Sequence, residues 1–329
     1  MKNKILSGMR PTGPLHLGHL FGVLDNWVVL QKEYKCFFMV ADWHAYMGEY
    51  ASPLMMKDYG IDNVTDWLSY GIDPQKSVIF RQSDVPEHLE LAMAFSCITP
   101  LSWLERCPTY KEQLRETTTR DLTTYGFLGY PVLQAADILL YKADAVPVGE
   151  DQLPHLELTR EIARRFHDIY KNEIFPLPKP LLTTAPKILG TDNRKMSKSY
   201  GNYIALSDGP DVIRKKVTSM ITDPAKIKLG DAGHPDICNV YTYHKIFSKE
   251  SKAVENIYNE CTSGKLGCVQ CKKMLADILA EFLKKNIQDK RKECTKEKVE
   301  KILQDGASQA KEVAAVTIRE VKKLAGLLA

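Results

Sequence analysis

The sequence predicts an α/β protein: a doubly wound parallel sheet in its first part, followed by an all-helical region. Two observations carry this. Short apolar runs alternate with helical periodicity up to about residue 200, and beyond it the strand signals stop. Ile5-Leu6-Ser7 is a short run that ends at Gly8. Leu20 to Gln31 carries a helical pattern, and Cys36-Phe37-Phe38-Met39-Val40-Ala41 is a continuous apolar run, as expected for a strand buried on both faces. Met56 to Tyr70 is again helical, Ser77-Val78-Ile79-Phe80 is a third strand and Ala145-Val146-Pro147-Val148 a fourth. Strands that alternate with helices form parallel sheets, whose ligands bind at the carboxyl ends of the strands.

Residues 210–329 carry helical periodicity broken by turns at Asp223-Pro224 and Gly230-Asp231. Lys284 to Lys301 is dense in lysine with acidic residues interspersed, which reads as a solvated helix face rather than an RNA surface. Ala310, Ala314, Ile318, Val321, Leu324 and Leu328 recur at three- or four-residue steps. Such a stripe needs a partner surface, so residues 301–329 are expected to pack back on the first domain. The expected organisation is residues 1–200, 201–300 and 301–329.

The chain has 329 residues, 44% apolar and 26% charged, enough for a substantial core and about two domains. No apolar run approaches the roughly 18 residues of a membrane span. No charged-then-apolar leader opens the sequence, so a cytoplasmic location is expected. The net charge of +4 is compatible with an RNA partner but too small to argue for one. Disulfides are a poor default for the eight cysteines in that setting. Cys36, Cys97 and Cys107 lie in apolar surroundings and are expected as buried thiols.

Chemistry concentrates in three places. Arg10-Pro11-Thr12-Gly13-Pro14-Leu15-His16-Leu17-Gly18-His19 follows the first strand. His16 and His19 share one face of the first helical turn, where imidazole donors and free backbone N–H groups can hold phosphate oxygens. Alone, the pattern equally fits metal-binding or surface histidines. Lys195-Met196-Ser197-Lys198-Ser199 follows a polar loop, Gly190 to Arg194, and two lysines there can close on a polyphosphate; an exposed basic loop is the plainer reading. Cys238, Cys261, Cys268 and Cys271, spaced C-x22-C-x6-C-x2-C in a polar region, suit tetrahedral zinc or an iron–sulfur cluster, with Cys294 left free.

Together the His16–His19 and Lys195–Ser199 motifs resemble the two signatures of class I aminoacyl-tRNA synthetases. Four further stretches resemble the tryptophanyl branch: Glu105 to Lys111, Gly129 to Leu139, Val146 to Gln152, and His155 to Arg160. The chain departs from most bacterial members, which have Thr, Asn and Gln where it has His16, His19 and Arg10. The tyrosyl branch spaces a Tyr, Gln and Asp much like Tyr130, Gln134 and Asp137, but the stretches around that trio fit the tryptophanyl pattern better. A tRNA-independent nucleotidyltransferase is the more distant alternative.

The resemblance implies a Rossmann-like catalytic domain, a helical anticodon-binding domain, and a homodimer whose interface comes from residues 85–130. It implies activation of L-tryptophan by ATP and Mg2+, then transfer to tRNA(Trp). It assigns catalysis to Lys195, Lys198, His16 and His19. It assigns ATP contacts to Met9, Arg10, Thr12, His16, Gly18, His19, Gly149, Asp151, Gln152, Ile188, Lys195, Met196, Ser197 and Lys198. Tryptophan contacts fall to Leu6, Gly8, His44, Tyr130, Gln134, Asp137, Val146, Val148 and Gln152, with Asp137 accepting from the indole N–H. The irregular cysteine spacing resembles that of a subset of these enzymes with a [4Fe–4S] cluster, which implies metal ligation by Cys238, Cys261, Cys268 and Cys271, with Zn2+ as the alternative.

Overall fold

The computed structural model describes residues 3–51, 55–108, 110–111, 121–182, 188–198, 200–248 and 250–328. Thr109 and Ser199, each part of a motif above, lie outside the described residues. By contact the described chain divides into two compact units. The first comprises Met1–Gly13, Asn26–Thr184 and Thr295–Ala329, and the second Pro14–Asp25 and Ala185–Cys294. These bounds differ from the simple cuts at 200 and 300. The segments carrying His16, His19, Lys195 and Lys198 all fall in the second unit.

In chain order the elements begin with β1 (Lys4–Met9), α1 (Leu17–His19), a π-turn (Leu20–Leu24) and α2 (Asp25–Glu33). Next come β2 (Lys35–Val40), α3 (Asp42–Glu49), α4 (Met56–Tyr70), β3 (Ser77–Arg81), α5 (Glu87–Ser96) and α6 (Leu101–Glu105). Then follow α7 (Tyr125–Leu140), β4 (Ala145–Val148), α8 (Leu153–Tyr170) and β5 (Lys179–Leu182).

The first unit is built on a five-stranded sheet in the order β3-β2-β1-β4-β5, every pairing parallel. β2 is buried at every residue after Lys35, which is why its sequence is an unbroken apolar run. β5 was not read from the sequence. Its Lys-Pro-Leu-Leu is half exposed at a sheet edge, where proline is tolerated and apolar continuity is not required.

The helix α14 (Lys296–Leu324) packs on β3, α4, α5 and α7, as the apolar stripe requires. Ala310, Ala314, Ile318 and Val321 are buried in one apolar cluster with Phe80, Leu91 and Leu139. Leu328 was read as part of that stripe, but the helix ends at Leu324 and Leu328 is 46% exposed. Gly306 lets the helix meet the strand closely: a Cβ there would lie 1.9 Å from the Ile79 carbonyl oxygen.

The second unit contains α9 (Pro210–Thr218), α10 (Asn239–Phe247), α11 (Ser251–Thr262), α12 (Cys268–Leu283), a second π-turn (Lys284–Gln288) and α13 (Asp289–Arg291). Lys284, Lys285, Lys290, Lys292, Lys296, Lys298 and Lys301 are all exposed, the solvated face expected of that stretch. Of the three cysteines expected as buried thiols, Cys36 and Cys107 are buried, whereas Cys97 caps α5 at the surface. Among the described residues no helix is long and apolar enough to cross a membrane.

Candidate active site

His16 caps the turn that opens α1. Its Nδ1 accepts the Gly18 N–H at 3.1 Å, and its own N–H donates to His19 Nδ1 at 3.2 Å. Both Nδ1 atoms are therefore acceptors, so each neutral ring carries its proton on Nε2. The ring centroids are 3.8 Å apart. Burial, reinforced by the Lys198 charge, pushes His16 down to about 4, and burial with His16 and Lys198 holds His19 well below its ordinary value. Two uncharged N–H donors can thus meet an anionic oxygen at neutral pH. A Cβ on Gly18 would press to 3.0 Å from the His16 ring, so glycine leaves that ring its seat.

The lysine loop is tied to the same segment. The Leu17 N–H donates to Ile204 O at 3.1 Å, the Leu206 N–H to Leu15 O at 2.9 Å, and His16 pairs with Ala205. A Cβ on Gly18 would lie 3.7 Å from Met196 Cβ. Asn202, missed in the sequence, holds the loop. Its Nδ2 donates to Asp192 Oδ1 at 2.7 Å and to Lys195 O at 3.1 Å, while its Oδ1 accepts the Ser197 N–H at 2.8 Å. Ile188 is buried just before this loop.

In the first unit, α7 presents Tyr130, Gln134 and Asp137 at steps of four and three residues. Asp137 is 2% exposed. It receives His44 Nε2 at 2.7 Å on Oδ2, and His88 Nδ1 at 2.6 Å and Gln82 Nε2 at 2.8 Å on Oδ1. Burial alone would raise its carboxyl, but His44 and His88 outweigh that and hold it below the usual range. His44 and Gln82 follow the carboxyl ends of the adjacent strands β2 and β3, the expected location for a ligand site. Gln82 and His88 escaped sequence reading because neither belongs to a recognisable local pattern.

Tyr130 Oη is 2.9 Å from His155 Nε2, whose Nδ1 is 3.5 Å from Cys107 Sγ. Burial brings His155 to about 4 despite the opposing charge of Asp151, and His44 adds to the fall. Leu6, Val146 and Val148 are buried in the unit's apolar cluster. Gly8 lies in β1, where a Cβ would meet Met39 O at 3.0 Å. Met9 is buried, Arg10 exposed and Thr12 half-buried at the strand's carboxyl end. Gly149 and Asp151 are exposed beside half-buried Gln152, whose Nε2 donates to Asp151 Oδ2 at 3.2 Å.

Cys238, Cys261, Cys268 and Cys271 all line one small cavity of about 20 Å³ in the second unit. Burial and the three neighbouring sulfurs push the Cys271 thiol up to about 12. Gly233 leaves room for Cys261, since a Cβ would lie 2.6 Å from its sulfur. As the side chains stand, no group of three or more His, Cys, Asp or Glu among the described residues is arranged to hold a metal ion. The donor set is nonetheless four soft sulfurs around one space, the chemistry that zinc and iron–sulfur clusters favour.

Comparison with known proteins agrees with this geometry. Residues 1–284 match the family model of class I tRNA synthetases (W and Y). The Tryptophan--tRNA ligase of Thermotoga maritima is 49% identical over 99% of both chains. That of Aquifex aeolicus is 44% identical over 98% of this chain and all of its own. The structure of Campylobacter jejuni tryptophanyl-tRNA synthetase complexed with ADP and tryptophan superposes with a TM-score of 0.89 at 32% identity, over 98% of this chain and 99% of that one. A tyrosyl-tRNA synthetase from Archaeoglobus fulgidus shares the fold at 20% identity. With the paired histidines and the lysine loop held together in one unit, these full-length matches mean that the chain belongs to the class I aminoacyl-tRNA synthetases, in the bacterial tryptophan–tRNA ligase family.

Proposed function

We propose that the chain activates L-tryptophan with Mg-ATP and esterifies tRNA(Trp). A tryptophan carboxylate oxygen attacks the α-phosphorus of ATP and the bond to pyrophosphate breaks. The terminal ribose hydroxyl of the tRNA then attacks the carbonyl carbon of the adenylate, and AMP leaves. The chain contributes positioning and charge stabilisation, with no covalent enzyme intermediate. Magnesium, brought with ATP, neutralises polyphosphate charge. The observation that carries this reading is the junction of the His16–His19 cap with the Lys195–Lys198 loop.

His16 and His19 donate neutral Nε2–H groups to phosphate, and Gly18 faces the adenosine. Lys195 and Lys198 meet the charge that develops on pyrophosphate. Met196, Ser197 and Ile188, with Met9, Arg10, Thr12, Gly149, Asp151 and Gln152, complete the ATP contacts. Asp137 accepts the indole N–H, which can only donate. Leu6, Val146 and Val148 supply apolar wall, and His44, Tyr130, Gln134, Gln152 and the backbone near Gly8 hold the rest of the amino acid. ATP–pyrophosphate exchange scanned over the twenty amino acids tests the reading. Exchange with tryptophan alone, with its KM raised in Asp137→Ala, supports it; exchange with tyrosine instead, or an unchanged KM in that variant, would refute it.

Two further features belong to this reading. The second unit would meet the tRNA anticodon, with Cys238, Cys261, Cys268 and Cys271 holding a [4Fe–4S] cluster, or zinc, in a structural role. Thiolate ligation would supply folding energy to that region. Anaerobic purification with metal analysis distinguishes the two, and a colourless protein with neither metal removes the site. The chain would also act as a homodimer. Leu89, Met93, Leu101 and Tyr125 are exposed and line an apolar cavity of about 240 Å³, a surface suited to a second copy. Sedimentation of Met93→Glu as a monomer beside a dimeric parent supports this, and a monomeric parent removes it.

A further inference from the structure

A carboxylate offers about four lone-pair positions. Among the described residues, Asp137 fills three of them. Oδ1 holds both His88 Nδ1 and Gln82 Nε2, whereas Oδ2 holds only His44 Nε2. One acceptor position is left, and it lies on Oδ2.

The asymmetry has a buried cause. His88 is fully buried, and both its nitrogens are engaged: Nδ1 with Asp137, and Nε2 with Tyr141 Oη at 2.8 Å. Facing a carboxylate, Nδ1 must donate, so in the neutral ring Nε2 accepts the Tyr141 O–H. Tyr141 is fully buried too, and burial, with Asp137 and Glu87 nearby, lifts its phenol well above the ordinary value, so it keeps that proton. Phe80 stacks on the His88 ring and Phe37 on Tyr141, which fixes both in place. In that tautomer the chain runs one way, Tyr141 to His88 to Asp137.

We propose that His88 and Tyr141 are positioning residues for substrate selection. By saturating Oδ1 they orient the carboxylate and leave one acceptor position on Oδ2, matched to a side chain with one N–H donor. This rests on Asp137 as the indole reader, and it adds two residues that need not touch the substrate. A scaffolding role alone would lower stability without changing which side chain is preferred.

The test compares pyrophosphate exchange with tryptophan and with its isostere β-(3-benzothienyl)alanine, in which sulfur replaces the N–H. Tyr141→Phe removes one hydroxyl and keeps the ring. It should raise the KM for tryptophan about three- to tenfold, the size of one lost hydrogen bond. The KM for ATP should stay constant, and the tryptophan-to-isostere ratio of kcat/KM should fall by the same factor. His88→Leu should lower that ratio more than about tenfold, while His88→Asn, which keeps a donor near the Nδ1 position, should restore most of it. Unchanged ratios in Tyr141→Phe and His88→Leu, with the ratio collapsed in Asp137→Ala, would overturn the relay alone. An unchanged ratio in Asp137→Ala would overturn the reading of Asp137 itself. If His88→Leu does not fold, Tyr141→Phe decides.

Discussion

Gly306→Ala should destabilise the first unit, against the ordinary behaviour of such a change. In an exposed helix, replacing glycine by alanine stabilises by about 1 kcal/mol. Here the new Cβ would stand 1.9 Å from the Ile79 carbonyl oxygen and 2.7 Å from its carbon, where ordinary contact begins at 3.4 Å. Both atoms are backbone, so no side-chain rotation relieves the overlap. Either α14 withdraws by more than an ångström or β3 bends, and Ala307 and Ala310 lose packing beside it. Overpacking of this kind costs about 1–3 kcal/mol or more. A 3 kcal/mol loss lowers the melting temperature by roughly 6–12 °C in a unit of this size. Calorimetry measures the shift, and limited proteolysis shows whether α14 is released first. Gln304→Ala, on an exposed position of the same helix, serves as control. A Gly306→Ala protein that melts at or above the parent temperature would refute the close-approach argument.

Three other perturbations have defined outcomes. Lys195→Ala should lower kcat about 10²–10³-fold with a smaller change in the KM for ATP, because its charge matters most as pyrophosphate leaves; a change in KM alone would contradict this. Asn202→Ala removes the side-chain amide bonded to Asp192, Lys195 and Ser197, so stopped-flow adenylate formation should slow about tenfold or more, and an unchanged rate would show that the loop holds itself. His16 and His155 both sit near 4 when folded, against 6.5 ordinarily, so the unfolded chain binds more protons between those values. Stability should therefore be full above pH 6.5 and fall as pH drops toward 4, with a shallower slope in His155→Asn; a flat denaturation profile across that range would disprove it.

How much was legible depended on whether a signal was local. β1 to β4 were readable because buried parallel strands need continuous apolar runs, and α4 was found over Met56–Tyr70 as expected. β5 was hidden because an edge strand with Pro180 needs no such run. The π-turn at Leu20–Leu24 left no trace in periodicity. Cys97 lies in an apolar stretch but falls where α5 ends, so surroundings in sequence misjudged its exposure. Asp137 was legible through its motif, whereas Gln82, His88 and Tyr141 become its partners only through packing of elements distant in sequence. The histidine pair was legible as a motif, but its mutual capping hydrogen bonds were not.

The split of the first unit has a consequence for synthesis. Among the described residues its last strand ends at residue 182, yet the helix that covers β3 begins only at residue 296. At ~5–20 residues per second, a ribosome needs on the order of ten seconds to make the intervening chain. Throughout that interval β3 is an uncovered edge, and the apolar surface around Phe80 and Leu91 has no lid. A nascent chain stalled between residues 184 and 295 should thus be a chaperone client, and one carrying α14 should not.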